Sequence, residues 1–257
     1  MSAPVAIEQF PRDYAAVVIG GGAGIGEAAA RLLGARGVDV TVADRDGDAA
    51  EAVAAAIRDA GGAAASEVCD VTDEVAVRGA FNAAVDRCAV VHAVVNSAGI
   101  QGPLGRPSHE VEIDEFERTL AVNLTPGLTI ARVAVPHFLE QGYGRILHVS
   151  SIAGKEGNPN MIGYSASKAG LIGLVKAQGK EYSRAGITVN ALAPAVIRTP
   201  FLDSQPQSVI DYMIEKIPMG RTGELSEVAE MIAFIVSPAA AFTTGFVFDL
   251  SGGRATY

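Results

Sequence analysis

Short apolar runs alternate with longer alanine-rich stretches along almost the whole chain. No other feature of the sequence limits the possible folds as tightly. The runs cover residues 15–19, 39–43, 89–95, 145–149, 188–192 and 246–250. Most are rich in Val and Ile and are bounded by Gly, Asn, Asp or Ser, the pattern of strands buried on both faces. Helix-like stretches at 27–34, 48–60, 74–88, 115–139 and 165–184 lie between them. Strand and helix repeated in this order predict an α/β fold, a doubly wound parallel sheet with helices on both faces. Such sheets bind ligands beyond the carboxyl ends of their strands, where the chain reverses its direction of travel across the sheet. The chain has 257 residues, 49% of them hydrophobic, which suits one large core better than two. One domain is expected over 14–257, after a short arm at 1–13 that contains Pro4 and Pro11.

Charge and residue scarcity exclude several roles. The net charge of −9 favours neither a nucleic-acid backbone nor an anionic membrane as partner. Residues 15–35 are apolar, yet six glycines with Glu27 and Arg31 argue against a spanning helix. No charged segment followed by an apolar run marks a signal peptide at the N-terminus. Cys69 and Cys88 sit in no paired motif, so two reduced thiols and a cytoplasmic location are expected. His92, His109, His137 and His148 are scattered, and no metal site is expected.

Three motifs carry chemistry. Gly20-Gly21-Gly22-Ala23-Gly24-Ile25-Gly26 follows the first apolar run and opens the first helix. Glycines there let the backbone approach a phosphate, and the helix start offers free N–H groups. A tight turn without a ligand would use the same residues, but the place between strand and helix marks a dinucleotide site. Asp44 ends the second run, 18 residues beyond Gly26. A carboxylate there would bond the adenosine ribose and repel a 2′-phosphate, favouring NAD over NADP. A solvated turn is the plainer reading, and Arg45 is a contrary sign because it would hold a 2′-phosphate. In Tyr164-Ser165-Ala166-Ser167-Lys168 the phenol and the amine are four residues apart and share a helix face. An ammonium near a phenol lowers its pKa, although such pairs are often surface features.

Ser151 stands thirteen residues before Tyr164, at the carboxyl end of an apolar run. With the glycine turn, this set resembles the short-chain dehydrogenase/reductase family, and the resemblance runs from Ala15 to Gly253. Cys69-Asp70-Val71 resembles the family's adenine segment, and Asn96-Ser97-Ala98-Gly99 its NNAG segment. Asn123 stands where the family keeps an Asn, and Asn190 to Thr199 resembles the stretch that meets nicotinamide. Ile19, Ser97 and Ala195 depart from the family pattern. The resemblance implies a Rossmann fold that binds NAD through Gly20, Gly24, Ile25, Gly26, Asp44, Asp70, Val71, Asn96, Ala98, Gly99, Tyr164, Lys168, Pro194, Ile197 and Thr199. It implies a catalytic set of Asn123, Ser151, Tyr164 and Lys168. In that set Tyr164 exchanges the proton of a secondary alcohol, Lys168 lowers the Tyr164 pKa and holds the nicotinamide ribose, and Asn123 positions a water.

The substrate is expected to be a small hydroxylated molecule. The polar loop at 155–160 and the tail at 248–257 resemble NAD-dependent sugar-acid dehydrogenases that act on 2-keto-3-deoxy sugar acids. Lys155 and Arg254 are the expected partners of the substrate carboxylate, Arg254 from a neighbouring subunit if need be. A 3-oxoacyl-thioester reductase and an inactive nucleotide-binding scaffold are the alternatives. Pro200, Pro206 and Pro218 with nearby apolar residues suggest a lid at 199–220, or else an ordinary surface helix. Apolar residues on more than one face of 169–177 suggest a subunit contact, and the resemblance implies a homotetramer.

Overall fold

Val17 and Val18 point to opposite faces of the first strand and both are buried, so this sheet needs cover on both sides. The computed structural model describes residues 10–199, 202 and 207–256. Its strands are β1 (Ala15–Ile19), β2 (Asp39–Asp44), β3 (Ala64–Val68), β4 (Ala93–Asn96), β5 (Gly144–Val149), β6 (Ile187–Pro194) and β7 (Val247–Leu250). They pair in the order β3-β2-β1-β4-β5-β6-β7, every pair parallel. The helices are α1 (Gly24–Ala35), α2 (Gly47–Asp59), α3 (Glu74–Cys88), α4 (Ile113–Asn123), α5 (Thr125–Gln141), α6 (Ala153–Glu156), α7 (Ile162–Tyr182), α8 (Gln207–Glu215) and α9 (Leu225–Val236).

Two cores result, one on each face. Ala16, Val18, Val40 and Val42 pack with Leu33, Val53 and Ile232, which come from α1, α2 and α9. Val17, Ile19 and Val94 pack with Phe81, Ile130 and Val175, which come from α3, α5 and α7. β1 pairs with β2 on one side and β4 on the other, so the direction of winding reverses between β1 and β4. Their carboxyl ends open a crevice, and Gly20 and Ser97 stand at its mouth.

Four expectations change. β3 went unread because Ala-Ala-Ser-Glu-Val is half polar; as an edge strand it pairs with β2 alone. The run at 89–95 yields a strand only from Ala93, because Ala89 closes α3 with φ of 63°. The stretch 115–139 is two helices, broken at Leu124 ahead of Pro126, whose missing N–H suits a first turn and not a helix middle. Within the expected arm, Phe10 is buried and meets the Tyr14 ring at 5.0 Å, so the core begins earlier than expected. Residues 1–9 lie outside the described part. Among the described residues no helix is long and apolar enough to cross a membrane, and no cluster of metal-ligating side chains occurs.

Candidate active site

The glycine turn lies against the end of β4. Gly20 has φ of +74°, and a Cβ there would come within 2.6 Å of the Ala98 nitrogen. Gly26 sits in the first turn of α1, where a Cβ would fall 2.0 Å from the Gly20 carbonyl oxygen. Gly24, with φ of +55°, has nothing within 4 Å of its Cβ position. No side chain caps the start of α1 at Ala23. Asp44 braces this turn: its carboxylate accepts bonds from the Gly22 N–H at 3.0 Å and the Asp46 N–H at 3.1 Å. Two bonds leave a carboxylate room to accept more.

Above the turn lies a cavity of about 950 Å³. Gly20, Gly24, Ile25, Asp44, Asp70, Val71, Ala98, Gly99 and Thr199 line it, with Arg45 beside Asp44. It continues into a smaller cavity of about 240 Å³, and Ile25, Ser97, Gly99, Ile100, Gln101 and Thr199 border both. Ser151, Tyr164, Lys168, Pro194 and Ile197 line the smaller one. Gly26 and Asn96 line neither. Gly26 lets α1 approach the turn, and Asn96 is buried on β4, its side chain 3.3 Å from His148 Nδ1. These cavities fit a dinucleotide: they start at an uncapped helix and a close-packed glycine turn, pass a carboxylate, and end at a hydroxyl pair beside an amine.

That pair comes from two elements. Ser151 follows β5, and its Oγ accepts a bond from the Ala153 N–H at 3.1 Å. Tyr164 and Lys168 are one turn apart at the start of α7. Lys168 is buried, and its Nζ donates to the Val149 carbonyl at 2.8 Å while lying 5.7 Å from the Tyr164 ring centre. Burial lowers the Lys168 amine to about 8. Burial raises the Tyr164 phenol above its ordinary value, opposed by its hydrogen bond with Ser151. The net shift of the phenol is therefore upward, where a downward one was expected. In the protein alone, burial of the phenol outweighs its bond with Ser151.

Asn123 is engaged on both sides of its amide. Oδ1 accepts from the Ile100 N–H at 2.8 Å; Nδ2 donates to the Ile100 carbonyl at 2.8 Å and to Ser167 Oγ at 3.0 Å. Both amide donors are engaged within the chain, so the Asn123 side chain pins the cavity wall at Ile100. Asp70 likewise turns inward on its own loop, accepting from the Thr72 N–H and hydroxyl at 2.9 and 2.7 Å.

His148 lies fully buried beneath this group. Burial, and then the charge of Lys168, push its pKa down to about 3 from an ordinary 6.5. Between those values the unfolded chain binds a proton that the native state refuses. Native stability therefore falls as pH drops through this window, by up to about 1.4 kcal/mol per pH unit. Urea midpoints taken from pH 7 to 4.5 are expected to fall more steeply for the wild type than for His148→Asn. Parallel curves would contradict this.

Neither Lys155 nor Arg254 lines the cavities described above. Lys155 pairs with Asp249 at 2.9 Å. Arg254 is held by Glu156 at 2.8 Å and by Asn158 at 3.2 Å, with its side chain only 9% exposed. Both fasten the loop after Ser151 to the C-terminal tail of the same chain. A third cavity of about 430 Å³ meets the smaller one at Ala195 and is bounded by Ile217, Met219, Arg221 and Gly252. Of the expected lid, residues 200, 201 and 203–206 lie outside the described part; Leu202 is buried and α8 follows. The sequence reading missed Ile100, Gln101, Arg118 and Ala121 on the cavity walls. Arg118, Ala121 and Val122 share the helix spacing that ends at Asn123, a signal that was available.

A family model described as enoyl-(acyl carrier protein) reductase matches residues 20–255. The chain is 45% identical over 242 residues to a 2-dehydro-3-deoxy-L-rhamnonate dehydrogenase (NAD(+)) of Sphingomonas sp. (strain SKA58), covering 94% of this chain and 95% of the relative. It is 39% identical to a cis-4-hydroxycyclohexanecarboxylate dehydrogenase of Sinomonas cyclohexanicum, covering 94% of this chain and 96% of that one. Among solved structures, a 7α-hydroxysteroid dehydrogenase complexed with NADH and 7-oxo glycochenodeoxycholic acid matches with a TM-score of 0.90. That match has 30% identity and covers 96% of both chains.

Proposed function

The chain belongs to the short-chain dehydrogenase/reductase family and is an NAD-dependent oxidoreductase; from that premise we propose that it interconverts a secondary alcohol and a ketone on a sugar acid. The observation that carries this reading is the joining of the Ser151–Tyr164–Lys168 cavity to the glycine-turn cavity through Gly99, Ile100 and Thr199. The sugar-acid class rests on the relative at 45% identity.

Bound NAD supplies the hydride acceptor. Gly20, Gly24 and the start of α1 would hold its phosphates and Asp44 its adenosine ribose, with Asp70 and Val71 beside its adenine. Pro194, Ile197 and Thr199 would flank its nicotinamide end. Ser151 and Tyr164 hold the substrate oxygen between their hydroxyls. Tyr164 removes the hydroxyl proton as the carbinol hydride departs, and returns it in the reverse direction. Burial alone opposes the phenolate, so Lys168 serves as the fixed positive charge that makes it accessible. Lys168 stays in place because Val149 holds its amine. Asn123 acts by position, fixing Ile100 against Ser167. The described cavity walls offer neutral donors such as Gln101 to substrate hydroxyls, and the third cavity leaves room for a chain beyond the carbinol.

Absorbance at 340 nm tests this, with NAD and NADP each offered against sugar acids, cyclic alcohols and 3-hydroxyacyl thioesters. Asp44 should repel a 2′-phosphate, so kcat/KM for NAD is expected to exceed that for NADP by about tenfold or more, an energy of about 1.4 kcal/mol. Equal use of NADP would mean that Arg45 governs the choice. Turnover of the thioesters alone would replace the sugar-acid reading with the acyl-thioester one.

The protein works in the cytoplasm as a homotetramer. α7 supports this assembly less than expected, since its outward positions are Ala169, Gly173, Lys176 and Ala177. Exposed Leu128, Phe234 and Phe246 support it more.

A further inference from the structure

The glycine-turn cavity is lined by three carboxylates, Glu27, Asp44 and Asp70, and by two guanidinium groups, Arg45 and Arg118. An anionic ligand in such a place needs a cation that is not already spent. Arg45 follows Asp44 directly and lines the cavity with Asp70. Asp70 is held below the usual carboxylate range first by its bonds from Thr72 and further by the charge of Arg45. Arg118 makes no hydrogen bond or ion pair among the described residues. Its own helix offers two acids at pairing distance, Asp114 and Glu115. Arg106 takes Glu115 with bonds of 2.6 and 2.7 Å, and Asp114 accepts the Glu115 N–H at 2.9 Å. Ala121 and Val122, three and four residues on from Arg118, line the same cavity, so one face of α4 is turned to it.

We propose that Arg118 pairs with the phosphates of the bound dinucleotide, reaching them from the α4 wall of the cavity. This rests on the reading that the cavity holds NAD. Neither the glycine turn nor the ribose-binding Asp44 supplies a full positive charge, and the family resemblance assigned nothing to this position. Arg118 would then set affinity for the adenosine-diphosphate half and leave the Ser151–Tyr164 end untouched.

Fluorescence titration of NADH, with ADP-ribose as competitor, tests the proposal on the whole protein as wild type, Arg118→Gln and Arg118→Lys. At low ionic strength Arg118→Gln is expected to weaken both ligands by about three- to tenfold, with Arg118→Lys between. High salt should shrink the difference, because a partly exposed charge pair is screened. Unchanged affinity in Arg118→Gln, or a loss that salt does not reduce, would overturn the role of Arg118 while leaving the NAD site intact. A wild type that binds neither ligand would instead overturn the NAD reading itself.

Discussion

Tyr164→Phe is expected to lower kcat by about 10²–10⁴-fold, the usual worth of a positioned acid/base. It should leave the folded structure and NADH affinity near those of the wild type. The substitution removes one oxygen from a side chain whose ring lies at the start of α7 beside Lys168. Among the described residues no backbone group bonds that oxygen; its partner is Ser151. Lost turnover with intact NADH binding separates a proton-transfer role from a packing role. Turnover within a few-fold of wild type at saturating substrate would remove Tyr164 from the mechanism.

Gly26→Ala is expected to be the most damaging small change at the cofactor end. Its Cβ would stand 2.0 Å from the Gly20 oxygen, 2.8 Å from the Gly20 carbonyl carbon and 3.1 Å from the Gly21 Cα. These are backbone atoms, so no rotamer relieves the clash and α1 must move away from the turn. Overpacking of this kind costs about 1–3 kcal/mol. Displacing α1 also removes its N–H groups from the phosphate position, so NADH binding should fall further than stability does. Gly24→Ala is the control, because its Cβ position is open and only the left-handed φ is strained. Thermal melts and NADH titrations of the two variants should diverge. A Gly26→Ala protein that melts and binds like the wild type would mean that α1 does not pack on the turn as described.

Much of this was legible in the sequence because it depends on local patterns. Val- and Ile-rich runs such as 15–19 can be buried only in a sheet covered on both faces, so the sheet and its parallel winding follow from periodicity. The glycine turn and the Tyr164–Lys168 spacing each admit a plainer reading alone, and the order of the motifs along the chain placed them together at the carboxyl ends of the strands. What escaped depends on neighbours distant in the chain. β3 is a strand because β2 offers it an edge, and its own sequence is half polar. Lys155 and Arg254 read as free cations until the fold brings Asp249 and Glu156 beside them. The direction of the Tyr164 pKa was misread for a related reason. Spacing shows that an amine is near, while burial of both groups is a property of the packed site.

Hydride transfer to NAD with Tyr164 as its proton partner is the central claim, and isotope transfer tests it most directly. A secondary alcohol that the enzyme turns over is deuterated at the carbinol carbon and incubated with NAD, and the NADH formed is examined by mass spectrometry. The expected result is NADH that carries the deuterium, with the ketone free of it. NADH formed without the label would contradict direct transfer in the cavity between Ser151, Tyr164 and the glycine turn.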